Sequence, residues 1–143
     1  MNLLYQTVRN HAQMPEYAHD GDAGMDLRIM EDVTLKPNER KTVGTGLAFA
    51  IPDGCVGLVF PRSGLASKTG VTLSNCVGVI DATYRGEVGA TLHNISDEEV
   101  HLEAGTRVCQ MVIVRFEHCE PVRTVRLDDT ERGAGGFGST GTK

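Results

Sequence analysis

Apolar and polar residues alternate along many short stretches of this 143-residue chain, and no window sustains apolar spacing at the helical period. Leu47, Phe49 and Ile51 show the pattern within residues 47–51. The same two-residue period predicts strands over 3–8, 55–60, 77–80, 88–92, 107–116 and 122–127. Turn-forming triplets lie between them, at Lys36-Pro37-Asn38, Pro52-Asp53-Gly54, Arg85-Gly86-Glu87 and Glu103-Ala104-Gly105. Short strands at this spacing fold as an all-β sandwich, jelly roll or barrel. One short helix is predicted over 63–68, with Ser63 as its N-cap and Gly70 ending it. Beyond Asp128 the alternation stops, and a tail with Gly133, Gly135, Gly136, Gly138 and Gly141 has Phe137 as its only large apolar residue. Such a tail buries too little to order itself and is expected to be flexible.

A single domain of this size buries about 70% of the surface its unfolded chain exposes, so no disulfide is needed to hold it. Cys55, Cys76, Cys109 and Cys119 are widely spaced, with no C-x-x-C pair or Cys/His cluster, and read as four buried, reduced thiols. Residues 1–10 show no charged-then-apolar leader, and no apolar run approaches a membrane span, so a cytoplasmic protein without membrane contact is expected. Fourteen Lys and Arg against 19 Asp and Glu leave a net charge of −5 with no basic run. A nucleic-acid polymer needs a basic stripe to displace counterions, so that partner is excluded. A small anion is not, because a few arginines and backbone N–H groups make a local positive site on an acidic protein. The Asn94-Ile95-Ser96 sequon reads as an accident of sequence.

Four segments combine residues that can do chemistry. Gly133-Ala134-Gly135-Gly136-Phe137-Gly138 spells G-x-G-x-x-G, but a dinucleotide fold needs a strand before it and a helix after it, and the five residues after Gly138 are too few for one. What survives is a run of backbone N–H groups beside Arg132, Ser139 and Thr140 that can wrap a polyphosphate, or else a plain disordered tail. Pro61-Arg62-Ser63-Gly64-Leu65-Ala66 brings a guanidinium, a hydroxyl and helix N–H groups together, as an anion site or an ordinary capped turn would. Asn75-Cys76-Val77-Gly78-Val79-Ile80-Asp81 ends an apolar strand on a carboxylate, three residues before Tyr84. Asp81 is then a general base on a rigid hairpin, or a turn cap with Tyr84 in the core. Asp26, in Ala23-Gly24-Met25-Asp26-Leu27, is one acid at a strand start, a position usually solvated.

Taken in order and joined by Arg107 to Val112, these four segments resemble the five motifs of the trimeric dUTPase family: 23–27, 61–68, 75–89, 107–112 and 132–141. The most specific are Gly78-Val79-Ile80-Asp81-Ala82-Thr83-Tyr84-Arg85-Gly86 and the run from Arg132 to Gly141. Thr83 stands where many members carry a second acid, and Met25 and Cys109 occupy positions more often aromatic or small.

The resemblance implies a jelly-roll-like β-barrel over 1–128, a flexible C-terminal arm over 129–143, and a homotrimer whose active sites draw on more than one subunit. It implies Mg²⁺-dependent hydrolysis of dUTP to dUMP and pyrophosphate, which keeps uracil out of DNA and supplies dUMP for thymidylate synthesis. Asp81 would be the catalytic base. Asn75, with backbone groups at Val79, Ile80 and Gly89, would read uracil, and Tyr84 would pack on the deoxyribose. Arg62, Ser63, Gly64 and Gln110 would hold phosphates, and Asp26 would touch Mg²⁺ through water. Arg132, Phe137, Gly138 and Ser139 would close the site from a neighbour. A regulator that senses dUTP on this scaffold, and a dCTP deaminase, share the expected fold. The intact Asp81 and the uracil-type hairpin argue against both.

Overall fold

A computed structural model of the chain describes residues 1–136 and Ser139. Its first half builds β1 (Leu4–Thr7), β2 (Met25–Arg28), β3 (Val33–Leu35), β4 (Arg40–Gly44), β5 (Leu47–Ala50) and β6 (Cys55–Pro61). After the helix α1 (Ser63–Thr69) come β7 (Val71–Leu73), β8 (Gly78–Ile80), β9 (Gly89–Asn94), β10 (Val100–Leu102) and β11 (Arg107–Arg115). All pairings are antiparallel: β2-β11-β6-β8 and β4-β9-β7 form the two larger sheets, and β1-β5 and β3-β10 the two ribbons. This is the all-β fold expected from the alternation, with the one short helix expected from its end signals, and among the architectures left open it is the jelly-roll-like one that the resemblance implies.

Burial follows the two-residue period. In β6, Cys55, Gly57 and Val59 point inward while Val56, Leu58 and Phe60 point outward. The inward residues join Leu27, Leu35, Phe49, Leu92 and Met111 in one core. In β11 the period breaks at Val108 and Cys109, both buried, because a register shift between Arg107 and Cys109 inserts one residue into the pairing with β2. Such a bulge re-aims the residue beside it, here Arg107. Turns fall where their residues require them. Gly54 and Gly105 take positive φ, 72° and 84°, at the turns before β6 and β11. The Asn94 side chain is fully buried and donates to the Leu35 and Glu98 carbonyls, so the asparagine of the sequon is closed off from the surface.

The outward face of the β2-β11-β6-β8 sheet is apolar as well. Val56 pairs with Val114 and Leu58 with Val112 across one edge, Leu58 with Val79 across the other, and Phe60 lies opposite Gln110. Val79 and Val114 are 59% and 39% exposed. An antiparallel sheet facing water carries polar residues on that side, so this face is built to be covered.

Three expectations are corrected. Residues 122–127 form no strand: Val122, Val125 and Leu127 are exposed, since no strand of the same chain runs beside them to accept their hydrogen bonds. Ser63 is not the N-cap. Arg62 holds that position with extended backbone (φ −96°, ψ 126°) and no side-chain cap bond, its guanidinium being engaged elsewhere, while Gly70 ends the helix at φ 72° as expected. Of the four cysteines only Cys55 and Cys109 are buried, because Cys76 sits in the exposed loop before β8 and Cys119 beyond β11; all four are free thiols.

Candidate functional site

Adjacent strands β2, β11 and β6 bring Asp26, Arg107, Gln110 and Arg62 to one edge of the barrel. Asp26 is only 5% exposed, which overturns the expectation of a solvated acid. A buried carboxylate persists only when its charge is paired. Arg62 Nε lies 2.8 Å from Asp26 Oδ1, and Arg107 donates to Oδ2 at 2.9 Å. Arg62 donates further to the Arg107 carbonyl at 3.2 Å. Two guanidiniums on one carboxylate leave the trio with a net positive charge, so it can hold an anion on an acidic protein. Arg107 is the member sequence reasoning missed. It opens the fourth motif, but only the bulge shows why it turns onto Asp26.

A cleft of about 370 Å³ opens over Asp26 and Arg62, with Asp22, Gly24, Ser63, Gly64 and Gln110 also among its walls. The first N–H groups of a helix have no partner within it, and here they belong to Ser63 and Gly64. Gln110 donates to the Pro61 carbonyl at 3.1 Å and lies against Gly24, where any side chain would press on it. The cleft therefore gathers Asp26, Arg62, Ser63, Gly64 and Gln110 as expected, with donors facing a space suited to a phosphate chain.

Cys109 sits behind the cleft. Burial, and next the Asp26 charge, push its thiol up to about 12, with Arg62 opposing. Against an ordinary value of 9.0, the stability this thiol contributes is complete below pH 9 and lost as pH rises towards 12, where the unfolded chain gives up its proton first. Iodoacetamide at pH 9 should therefore leave Cys109 unmodified in the native protein and modify it after unfolding. Peptide mass mapping reads both states, and native labelling would contradict the burial.

The remaining residues lie apart from the cleft. Asn75, Val79, Asp81, Tyr84 and Gly89 are exposed and Ile80 is half-buried, all on or beside β8 and the turn after it. The turn is tight: Tyr84 N–H donates to the Asp81 carbonyl at 3.1 Å, and Arg85 donates to the Ala82 and Tyr84 carbonyls. Tyr84 is thus no core residue. Antiparallel pairing sets Ile80 opposite Gly57, while Arg62 follows the far end of β6. At 3.3 Å per residue, Asp81 and Arg62 of one chain stand on the order of 15–20 Å apart. Arg132 bonds within the tail, to the Gly135 carbonyl, and Ser139 to that of Gly136. Phe137 and Gly138 lie outside the described residues.

Among the described residues no three His, Cys, Asp or Glu side chains group to hold a metal, and no helix is long and apolar enough to cross a membrane. Both Asp26 oxygens are already taken by arginines.

A sequence model of the dUTPase family matches residues 10–141. The chain is 46% identical over 142 residues to the deoxyuridine 5′-triphosphate nucleotidohydrolase of Clostridium kluyveri, covering 99% of each. It is 47% identical to that of a Hydrogenobaculum species, covering both in full. Among solved structures it is similar to the Staphylococcus bacteriophage 80alpha dUTPase bound to dUPNHPP, with 32% identity, TM-score 0.92 and 99% of each chain covered. It is also similar to the dUTPase of phage phi11 of S. aureus, described with a structural Mg(II) ion, at 28% identity and TM-score 0.83, over 90% of this chain and all of that one.

Proposed function

The chain belongs to the dUTPase family and hydrolyses dUTP to dUMP as a dUTP diphosphatase, and on that premise we propose that each active site is assembled from several copies of it in a homotrimer. The observation that carries this is the separation of Asp81 from Arg62 along β6. A base that far from the phosphate cleft of its own chain serves the cleft of another. The outward apolar face supports the same reading. It runs from Val56 to Phe60 and reaches the cleft wall at Phe60 and Val112, so a second copy packed on it stands beside the phosphates.

In this site Asp81 takes a proton from a water whose oxygen bonds to the α-phosphorus, while the bond from that phosphorus to the bridging oxygen breaks and pyrophosphate leaves. Arg62, Ser63, Gly64 and Gln110 hold phosphate oxygens, and Asp26 fixes Arg62. A Mg²⁺ ion would have to come with the triphosphate, since the arginines already occupy both Asp26 oxygens, and Asp26 would hold it through water. Bound there, the ion would spread the phosphate charge. Asn75 and the backbone of Val79, Ile80 and Gly89 pair with the uracil edge. Cytosine would leave a buried donor unpaired, at a cost of about 1–3 kcal/mol, and the methyl of thymine would clash. Tyr84 lies on the deoxyribose where UTP carries its 2′-hydroxyl. The arm over 129–143 closes a neighbour's site, with Phe137 and Gly138 over the base and Arg132 and Ser139 at the γ-phosphate. Four free thiols accord with a cytoplasmic enzyme.

Pyrophosphate release from dUTP, dCTP, dTTP and UTP, with and without Mg²⁺, tests the reading. Turnover should be confined to dUTP with Mg²⁺. Tyr84→Ala should raise the UTP-to-dUTP ratio of specificity constants by about 10-fold or more. An unchanged ratio in a folded variant would mean the sugar is read by another residue.

A further inference from the structure

Tyr84 is 43% exposed, so core packing does not hold its ring. Its hydroxyl instead donates to the carbonyl of Glu87 at 2.9 Å, and the ring lies across Gly86, where no side chain would fit. The position of the phenol is therefore only as fixed as residue 87. Glu87 is itself seated in a notch of the barrel wall. One carboxylate oxygen accepts the Gly46 N–H at 2.8 Å, and the other accepts Arg9 Nε–H at 3.0 Å.

The notch exists because two glycines make it. A side chain at Gly44 would run into the Glu87 carboxylate, and one at Gly46, where φ is +71°, would come within 2.6 Å of Ala12. The notch is also rigid. Gly46 accepts the Val8 N–H, Gly44 that of Met30, and Thr45 donates to the Val88 carbonyl through both its N–H and its hydroxyl. Val88, next to Glu87, is buried and donates to Leu47. The turn carrying Asp81 and Tyr84 is otherwise exposed and tied by bonds within itself.

We propose that Glu87 is the positioning residue that locks this turn to the barrel, and that by fixing Tyr84 it sets the discrimination between dUTP and UTP. The second half rests on the reading of Tyr84 as the wall at the 2′ position. A chain of contacts runs from the phenol to the Glu87 carbonyl, and from the Glu87 carboxylate to Gly46 and Arg9. Cutting it at the carboxylate frees the ring without touching the nucleotide.

The test compares Glu87→Ala, Glu87→Gln and Tyr84→Ala with the parent enzyme. Readouts are specificity constants for dUTP and UTP, and amide hydrogen exchange across 81–88. Glu87→Ala should speed exchange in that turn and raise the UTP-to-dUTP ratio about 10-fold, within the roughly 10²-fold that a misplacement of about an ångström can cost. Glu87→Gln still accepts the Gly46 N–H and should stay close to the parent ratio. A residue that only stabilised the fold would lower both specificity constants together and leave the ratio unmoved.

If Tyr84→Ala shifts the ratio and Glu87→Ala does not, the proposal is overturned. If Tyr84→Ala leaves the ratio unmoved, the sugar reading fails and the lock is judged on exchange and on KM for dUTP: acceleration with a raised KM sustains it, and parent-like values overturn it. Should Glu87→Ala fail to fold, Glu87→Asp takes its place, since its carboxylate stands one methylene short of Gly46 and Arg9: faster exchange with a raised ratio sustains the proposal, and parent-like values overturn it.

Discussion

Asp81→Asn should lower turnover of dUTP by about 10²-fold or more while leaving nucleotide affinity near that of the parent enzyme. The amide has the shape of the carboxylate, and the turn that holds it is closed by backbone bonds, Tyr84 N–H to the Asp81 carbonyl among them, that the substitution leaves intact. The side chain is exposed and pairs with no cation among the described residues, so nothing structural depends on its charge. What the amide cannot do is accept the proton of the attacking water. Single-turnover rates give the first quantity and calorimetric titration with a non-hydrolysable imido analogue the second. Near-normal turnover would remove Asp81 from the role of base, and a parallel collapse in affinity would make it a binding residue.

Arg62→Ala should be nearly as damaging, by about 10²-fold, as loss of a donor aimed at transferring phosphate oxygens is. The fold should survive, because Arg107 still pairs with Asp26. The larger effect is expected on mixing. In a site that takes Asp81 from one chain and Arg62 from another, random exchange between Asp81→Asn and Arg62→Ala chains restores both groups in about a quarter of the sites. Two nearly inactive preparations should thus gain activity together, well above either alone. Absence of any gain, with exchange demonstrated by mass spectrometry of the mixed oligomers, would place both groups in a single-chain site and end the shared-site reading.

Much of the fold was legible in the alternation, and the reason is physical. Strands β6 and β9 bury alternate side chains in one core, and β11 does so past its bulge, so the two-residue period is written into their sequences. The three-residue strands β3, β7 and β10 are too short to show a period and escaped notice. Residues 122–127 failed the other way, since alternation predicts a strand only where a partner edge exists. In the site, the cleft residues were legible by their order along the chain. The burial of Asp26 and the roles of Arg107 and Glu87 were not, since each depends on a contact between segments more than 40 residues apart or on a bulge that no local pattern records. Arg62 illustrates the limit. Its neighbour Ser63 has every local mark of an N-cap, yet Arg62 occupies that position with its side chain turned back to Asp26.

In the proposed shared site, the valines and leucine on the outer side of β6, β8 and β11 would tie catalysis to abundance. A chain whose base serves a neighbour's cleft would be inert when alone, and the face proposed to seat that neighbour is the one least comfortable in water. Specific activity should then fall on dilution, steeply once the oligomer comes apart, and substrate that bridges two chains should hold it together at lower concentrations. For a cell, the first molecules made would be silent, and activity would rise faster than the amount of protein.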